Sequence, residues 1–190
     1  MPNRQKSKKE TAFTMLKDDH DNVKELFDRF ENASTPAEAK SKIVTTVLEE
    51  LRVHAAVEEQ LFYPALRQQM EDEDDLLEEA DEEHHVAKIL IAELEQMEGH
   101  EDNWEAKFMV LAENVRHHIK EEEREIFPQA KKTNIDFVAL RLQMAELKET
   151  LKSEGIPEDE EAEMVRASGL REESPSKKAQ QTVKTPLKAA

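Results

Sequence analysis

Residues 54–64 read HAAVEEQLFYP, and residues 118–128 read HIKEEEREIFP. Each stretch holds a His, a Glu four places on, a second Glu beside it, and a closing aromatic–Pro pair. The offset is 64 residues (118 − 54). The same shift carries His20 onto His84, and Val44, Val47 and Leu51 onto Phe108, Leu111 and Val115. It also carries Val23, Leu26, Phe27 and Phe30 onto Ala87, Leu90, Ile91 and Leu94. Self-similarity at one period marks a repeated structural unit. Here the unit is a helical hairpin with a His on its first helix and a His-x-x-x-Glu on its second.

Spacing decides which way these residues face. Positions 44, 47, 51, 54, 58 and 61 advance by threes and fours, which is one stripe of an α-helix. Positions 108, 111, 115, 118 and 122 do the same. Residues four apart lie about 6 Å apart along a helix and nearly in line, so imidazole and carboxylate can reach a common point. Counting on from His84 meets Ala87, Leu90, Ile91 and Leu94, so His84 faces inward. Counting on from His85 meets Lys88 and Glu93, so His85 faces out. His118 continues an apolar series, whereas His117 shares its side with Glu113 and Glu121. The inward set is His20, His54, Glu58, His84, His118 and Glu122.

The surrounding chain has 190 residues, three glycines, 5% aromatics, and hydrophobic and charged shares of 37% each. Straight-chain helix formers dominate, which predicts an all-α protein. A first helix is expected over 10–32. Thr35 as N-cap, Pro36 at the first helical position and Glu38 as the return partner predict a capping box opening the second helix. That helix should run to Tyr63, where Pro64 kinks or ends it. After the acidic loop MEDEDD, a third helix is expected over 76–98, closed by Gly99. A fourth follows over 104–127, meeting Pro128, and a fifth spans FVALRLQMAELKETL. The predicted organisation is a basic arm (1–9) and an up-down antiparallel four-helix bundle of two hairpins (10–132). An accessory C-terminal helix (133–156) and an acidic then basic, mostly disordered tail (157–190) complete it.

Several function classes fall away. With no cysteine there are no disulfides, thiolate metal sites or thiol catalysis. A formal charge of −17 argues against a nucleic-acid-binding body. The basic N-terminus precedes no apolar run, and no stretch is long enough to cross a bilayer, so the expected location is cytoplasmic.

Burying four imidazoles and two carboxylates in one layer is costly unless they are paired or coordinated. A hydrogen-bonded polar core is the alternative, but six such residues from four helices favour metal. Six ligands are too few to saturate two octahedral ions and too many for one tetrahedral zinc. Two bridging carboxylates would give each of two ions about two imidazoles and leave positions for water, an oxo group or a small molecule. Imidazole and carboxylate without thiolate suit iron or manganese, with zinc as a substitute. A ferritin-like site needs two Glu-x-x-His pairs. The candidate pair, Glu82-x-x-His85, faces outward.

The Asp19-His20 pair, HAAVEEQLFYP, EEHHVAKIL and HHIKEEEREIFP, in this order and spacing, resemble the hemerythrin family, specifically its His-His-Glu (HHE) cation-binding domains. The resemblance covers about residues 12–130. It implies an up-down four-helix bundle holding two non-haem iron ions, carboxylate- and oxo-bridged, with manganese or zinc as alternatives. His20, His54, His84 and His118 would be terminal ligands, and Glu58 and Glu122 bridging carboxylates. Oxygen-carrying members place a further His four residues after the third-helix ligand, where this chain has Lys88, with Lys24 as its repeat mate. The implied role therefore moves from oxygen transport to binding or reacting with oxygen, peroxide or nitric oxide, in oxidative or nitrosative stress or iron handling. An iron-responsive regulatory or storage module without turnover is the alternative.

Glu59 and Glu123 sit at an angle to the ligand stripe, which directs them to solvent or to support behind the ligands. Tyr63, nine residues after His54, is nearly half a turn off the face, so ordinary packing is expected. His85 and His117 are expected on the surface and His100 in a loop. Met15, Met97, Met109 and Met144 read as gap-filling core, and Trp104 as an anchor for the fourth helix. The fifth helix either covers the bundle or makes a homodimer seam. Lys177, Lys178, Lys184 and Lys188 belong to the solvated tail. The expected partner is a small diatomic or peroxide ligand, without membrane or nucleic acid.

Overall fold

A computed structural model describes residues 10–32, 34–70, 74–99, 101–157 and 159–168. The expected basic arm, the middle of the MEDEDD loop, His100 and the basic end of the tail lie outside the described residues. Every regular element among those described is helical.

Helix α1 (Ala12–Glu31) starts at a capping box in which Thr11 and Thr14 bond reciprocally. Helix α2 (Ala37–Val57) has no such box: Pro36 is its N-cap and no side chain caps it. The hydroxyl of Thr35 instead donates to the carbonyl of Arg29 at 2.7 Å. The capping box expected at Thr35 and Glu38 is therefore corrected: the turn recruits Thr35 to close the end of α1.

Neither proline ends its helix. Helix α2 runs into a π-helical turn (Glu58–Phe62) and then α3 (Tyr63–Arg67). After α4 (Asp74–Glu95) comes α5 (Trp104–Glu121), a second π-helical turn (Glu122–Ile126) and α6 (Phe127–Ala130). Each π turn closes on a candidate ligand: Tyr63 N–H bonds the carbonyl of Glu58, and Phe127 N–H that of Glu122. A π turn accommodates one extra residue, and such turns recur at functional sites. The prolines follow as second residues of α3 and α6, where a missing N–H costs little.

Helices α1, α2, α4 and α5 pack side by side, with contacts of α1 with α2, α2 with α4, α4 with α5, and α5 with α1. Two apolar clusters form between them. One contains Val23, Phe27, Phe30, Val47, Leu94, Trp104, Phe108 and Leu111. The other contains Phe13, Leu16, Val57, Phe62, Tyr63, Leu66, Leu77 and Phe127. His20 lies between Leu16 and Val23 on α1, and His54 between Leu51 and Val57 on α2, so a polar layer separates the clusters.

Helix α7 (Phe137–Glu154) is capped by Asp136, whose carboxylate accepts from the amides of Val138 and Ala139. It ends at Gly155, whose φ of 93° and ψ of 158° form a backbone conformation open essentially to glycine alone. Leu140, Met144 and Leu151 bury its inner face against α1 and α2, so α7 covers the bundle. Beyond residue 156 the sequence predicts no helix. The structure instead has α8 (Glu160–Ser168), whose Ala162 and Val165 pack on Ala92 and Ile89 of α4. Two apolar residues at i and i+3 suffice for this short stripe, and the surrounding acidic composition masks it.

Candidate metal centre

The structure brings the six inward residues into one layer. Glu58 and Glu122 are each 0% exposed and His20 is 1%; His54, His84 and His118 are buried with them. Nε2 of His20 lies 3.1 Å from Oε2 of Glu122, and Nε2 of His54 lies 3.1 Å from Oε2 of Glu58. Nε2 of His84 is 3.5 Å from the same Glu58 oxygen, and Nε2 of His118 is 3.7 Å from Oε2 of Glu122. The Nε2 atoms of His84 and His118 stand 3.1 Å apart.

Donor atoms collect in two groups, each within 4.8 Å of one another. One takes His20, His54, Glu58 and Glu122; the other takes Glu58, His84 and His118. Glu58 belongs to both, so it lies between two positions that could hold an ion. Both oxygens of Glu58, Oε2 of Glu122, Nε2 of His20 and both ring nitrogens of His54 are buried without a hydrogen-bond partner. Several of these atoms are close in distance yet out of the direction of a hydrogen bond. Two donors bound about 2.1 Å from one ion at right angles would lie about 3.0 Å apart. Unpaired buried donors at that separation fit a metal better than a hydrogen-bonded polar core.

Behind the ligand face, each imidazole meets a carboxylate through Nδ1. His20 meets Glu123 at 3.1 Å, His84 meets Glu59 at 3.0 Å, and His118 meets Glu83 at 2.8 Å. His54 approaches Asp19 at 3.6 Å, a looser ion-pair contact. A carboxylate on Nδ1 holds the proton there and leaves Nε2 free to ligate. The arrangement follows the repeat: Glu59 and Glu123 each cross to the other hairpin, while Asp19 and Glu83 each serve their own. Glu59 and Glu123 therefore stand behind the candidate ligands.

Lys88 donates to Glu59 at 2.7 Å, and Lys24 approaches Glu123 at 3.6 Å and Asp21 at 2.8 Å. Position 88 thus anchors the carboxylate that orients His84.

The charges set the protonation. Burial works against a charged ring, but the Glu58 charge and the close approach of the Asp19 and Glu58 carboxylates push His54 up to about 10. Glu58 and Glu59 similarly outweigh burial at His84, which rises to about 9. Burial raises Glu58, yet His54 and His84 together hold it well below the usual carboxylate range.

Tyr63 corrects the expectation of plain packing. It is fully buried, and its hydroxyl donates to Oε1 of Glu122 at 3.0 Å. Straight helical counting puts Tyr63 half a turn from His54, but the extra residue of the π turn removes about 100° from that angle. Its repeat mate Phe127 stacks near His20, with ring centroids 6.0 Å apart.

Beside the centre lies a cavity of about 230 Å³, bordered by all four histidines, with Val23, Ile91 and Val115 among its apolar walls. Ile156, Pro157 and Asp159 of the α7–α8 connection also border it. Asp159 is held by Arg52 at 3.2 Å, and Arg52 also pairs with Glu95 at 2.8 Å. His85 is 44% exposed in its side chain and bonds Glu161 of α8 at 2.8 Å; His117 is 56% exposed. Neither reaches the centre.

Sequence spacing misses Asp19, Glu83 and Tyr63. An acidic residue directly precedes both His20 and His84, and that duplicated pair was the available signal for the first two.

Among the described residues, no helix is long and apolar enough to cross a membrane. None of the curated proteins compared matches the chain. Among solved structures, a hemerythrin HHE cation binding domain-containing protein from Mycobacterium kansasii shares the fold, with a TM-score of 0.61 at 23% identity. That likeness covers 77% of this chain and 94% of the other. The model of the Hemerythrin HHE cation binding domain family matches residues 11–130, the span that supplies every ligand candidate, and the chain therefore belongs to that family.

Proposed function

We propose that this chain is a non-haem di-iron protein on an up-down antiparallel four-helix bundle, and that it binds or reacts with oxygen, peroxide or nitric oxide. The observation that carries this reading is the convergence of four Nε2 atoms and two carboxylates, several without partners, in two groups that share Glu58. Histidine and carboxylate without thiolate favour iron or manganese, with zinc as an alternative.

In this reading His20 and His54 would hold one ion and His84 and His118 the other, with Glu58 and Glu122 supplying carboxylate oxygens to the pair. Bound iron would supply coordination of, and electron exchange with, a small oxidant. The protein fixes the imidazoles through Asp19, Glu59, Glu83 and Glu123, and Tyr63 donates to the outer oxygen of Glu122. The adjoining cavity offers room for a small ligand. A role in oxidative or nitrosative stress or in iron handling follows from that chemistry.

Iron analysis of protein from iron-supplemented cells tests the proposal, with spectra before and after oxygen, peroxide and nitric oxide. About two irons per chain and near-ultraviolet and visible absorption are expected. Colourless, metal-free protein would sink it.

A second reading, an iron-responsive regulatory or storage module without turnover, is favoured by one observation. The α7–α8 connection, outside the family match, borders the cavity beside the histidines. An iron-sensing arm predicts that iron removal changes protease sensitivity at residues 155–159. Unchanged sensitivity would leave the first reading alone.

A further inference from the structure

The repeat relates the two ends of the polar layer, and three of the four residue pairs there change from apolar to acidic. On the first hairpin stand Met15, Asp19, Val57 and Leu61; at the corresponding places on the second stand Glu79, Glu83, Glu121 and Glu125. The first end is mostly apolar and is covered by α7. Val57 is buried, Met15 and Leu61 pack on the apolar cluster that α7 completes, and Lys148 of α7 takes the Asp19 carboxylate at 2.5 Å.

At the second end Glu79 and Glu125 are exposed, and Glu83 and Glu121 are half-buried. With Leu76, Ala80 and Ile126 these four carboxylates line a narrow crevice of about 10 Å³, and His118 and Glu122 form its inner wall. Glu122 is 0% exposed, and its Oε2 is without a hydrogen-bond partner. The crevice therefore runs from an acidic surface to Glu122, a carboxylate of the centre with one unpaired oxygen.

At its mouth, Nε2 of His117 lies 3.1 Å from Oε1 of Glu121 and 3.6 Å from Oε1 of Glu83. The three side chains offer donors within 4.8 Å of one another. The other oxygen of Glu83 holds Nδ1 of His118 at 2.8 Å, so one carboxylate touches both the mouth and the centre. The repeat mates of His117 and Glu121 are Val53 and Val57, both buried, so this grouping has no counterpart on the first hairpin.

We propose that the crevice between α4 and α5 admits divalent cations to the centre, with Glu83, His117 and Glu121 as a capture site at its mouth. The proposal rests on reading the centre as a metal site. One imidazole and two carboxylates suit a first-row divalent cation such as Fe(II), Mn(II) or Co(II). Three protein donors leave the remaining positions to water, which makes the site weak and exchangeable, as a relay requires. A cleft lined by one sign of charge raises the local concentration of counter-ions, speeding capture by a factor of about 10 or more. An ordinary exposed His–Glu pair at i and i+4 would leave uptake unchanged.

The test uses full-length protein stripped of metal, with Co(II) alone as the probe. Stopped-flow visible absorption gives the filling rate, and equilibrium dialysis gives the stoichiometry. Wild type is expected to bind one weaker equivalent beyond those of the centre. The double variant H117A/E121Q should lose that equivalent and fill the centre about tenfold more slowly, reaching the same final occupancy. His117 is exposed, and circular dichroism checks that the variant keeps its helices. A variant that fills at the wild-type rate, or keeps the weaker equivalent, overturns the capture site. Wild type that takes up no cobalt overturns the reading of the centre itself, and this proposal with it.

Discussion

The hydroxyl of Tyr63 donates to Oε1 of Glu122 at 3.0 Å, whereas its repeat mate Phe127 has no hydroxyl to offer Glu58. The two carboxylates at the heart of a duplicated layer are therefore unlike. Both oxygens of Glu58 are unpaired, but only Oε2 of Glu122 is. Burial, then the charges of Glu122 and Glu58, raises the Tyr63 hydroxyl well above its ordinary pKa, so it keeps its proton and acts as a donor.

Tyr63→Phe removes that bond and leaves a buried carboxylate oxygen without its donor. Hydrogen bonds to charged groups are worth about 1.5–3 kcal/mol, so denaturant unfolding of the metal-free protein should show a loss of that size. Helix content should be unchanged. Equal stability of variant and wild type would mean that Tyr63 serves only as packing.

Substituting the centre and the surface should separate cleanly. His54→Ala or His118→Ala should sharply reduce bound iron, because each removes a donor from one of the two groups. His85→Ala should not, since that ring bonds Glu161 of α8 and lies outside the layer. Metal analysis of the three purified variants checks this, and equal loss from His85→Ala would refute the assignment.

The convergence of the six inward residues was legible because α1, α2, α4 and α5 keep regular helical phase up to Glu58 and Glu122. Past those residues the phase shifts at the π turns, which is why Tyr63 escaped angular counting. The partners of Nδ1 were hidden for another reason. Glu59 meets His84 only because α2 packs beside α4, and no period in the chain announces that pairing. Asp19 and Glu83 flank the ligand stripe, where helical spacing gives them no inward mark. Thr35 has good N-cap chemistry, yet the neighbouring carbonyl of Arg29 captured it. Helix α8 was obscured because Ala162 and Val165 are two apolar residues in an acidic run.

The metal-free protein should lose stability as pH rises. His54 and His84 stand at about 10 and about 9 when folded, against an ordinary 6.5. A raised folded pKa gives stability that is full below the unfolded value and lost as pH climbs through the folded one. Thermal unfolding of the stripped protein should therefore show Tm falling from about pH 6.5 toward pH 10. At the acid end Glu58, held low by His54 and His84, contributes stability above its unfolded pKa of 4.5 and loses it as pH falls through its depressed value. A Tm that rises between pH 7 and 9.5 would contradict the pairing of these rings with Glu58.

The crossed carboxylates should matter to metal affinity without being ligands. Glu59 is tied at one oxygen to Nδ1 of His84 and at the other to Lys88, and Glu123 similarly links His20 and Lys17, each at about 3 Å. Glu59→Gln keeps the shape but removes the charge that favours an Nδ1 proton on His84. Losing such a supporting partner typically lowers metal affinity about 10- to 100-fold. Lys88→Met should have a smaller effect in the same direction, since it frees Glu59 without removing it. Chelator competition on wild type and both variants measures the order. The expected ranking is wild type tightest, Lys88→Met next and Glu59→Gln weakest. A Glu59→Gln protein that holds metal as tightly as wild type would show that His84 keeps its orientation by packing alone.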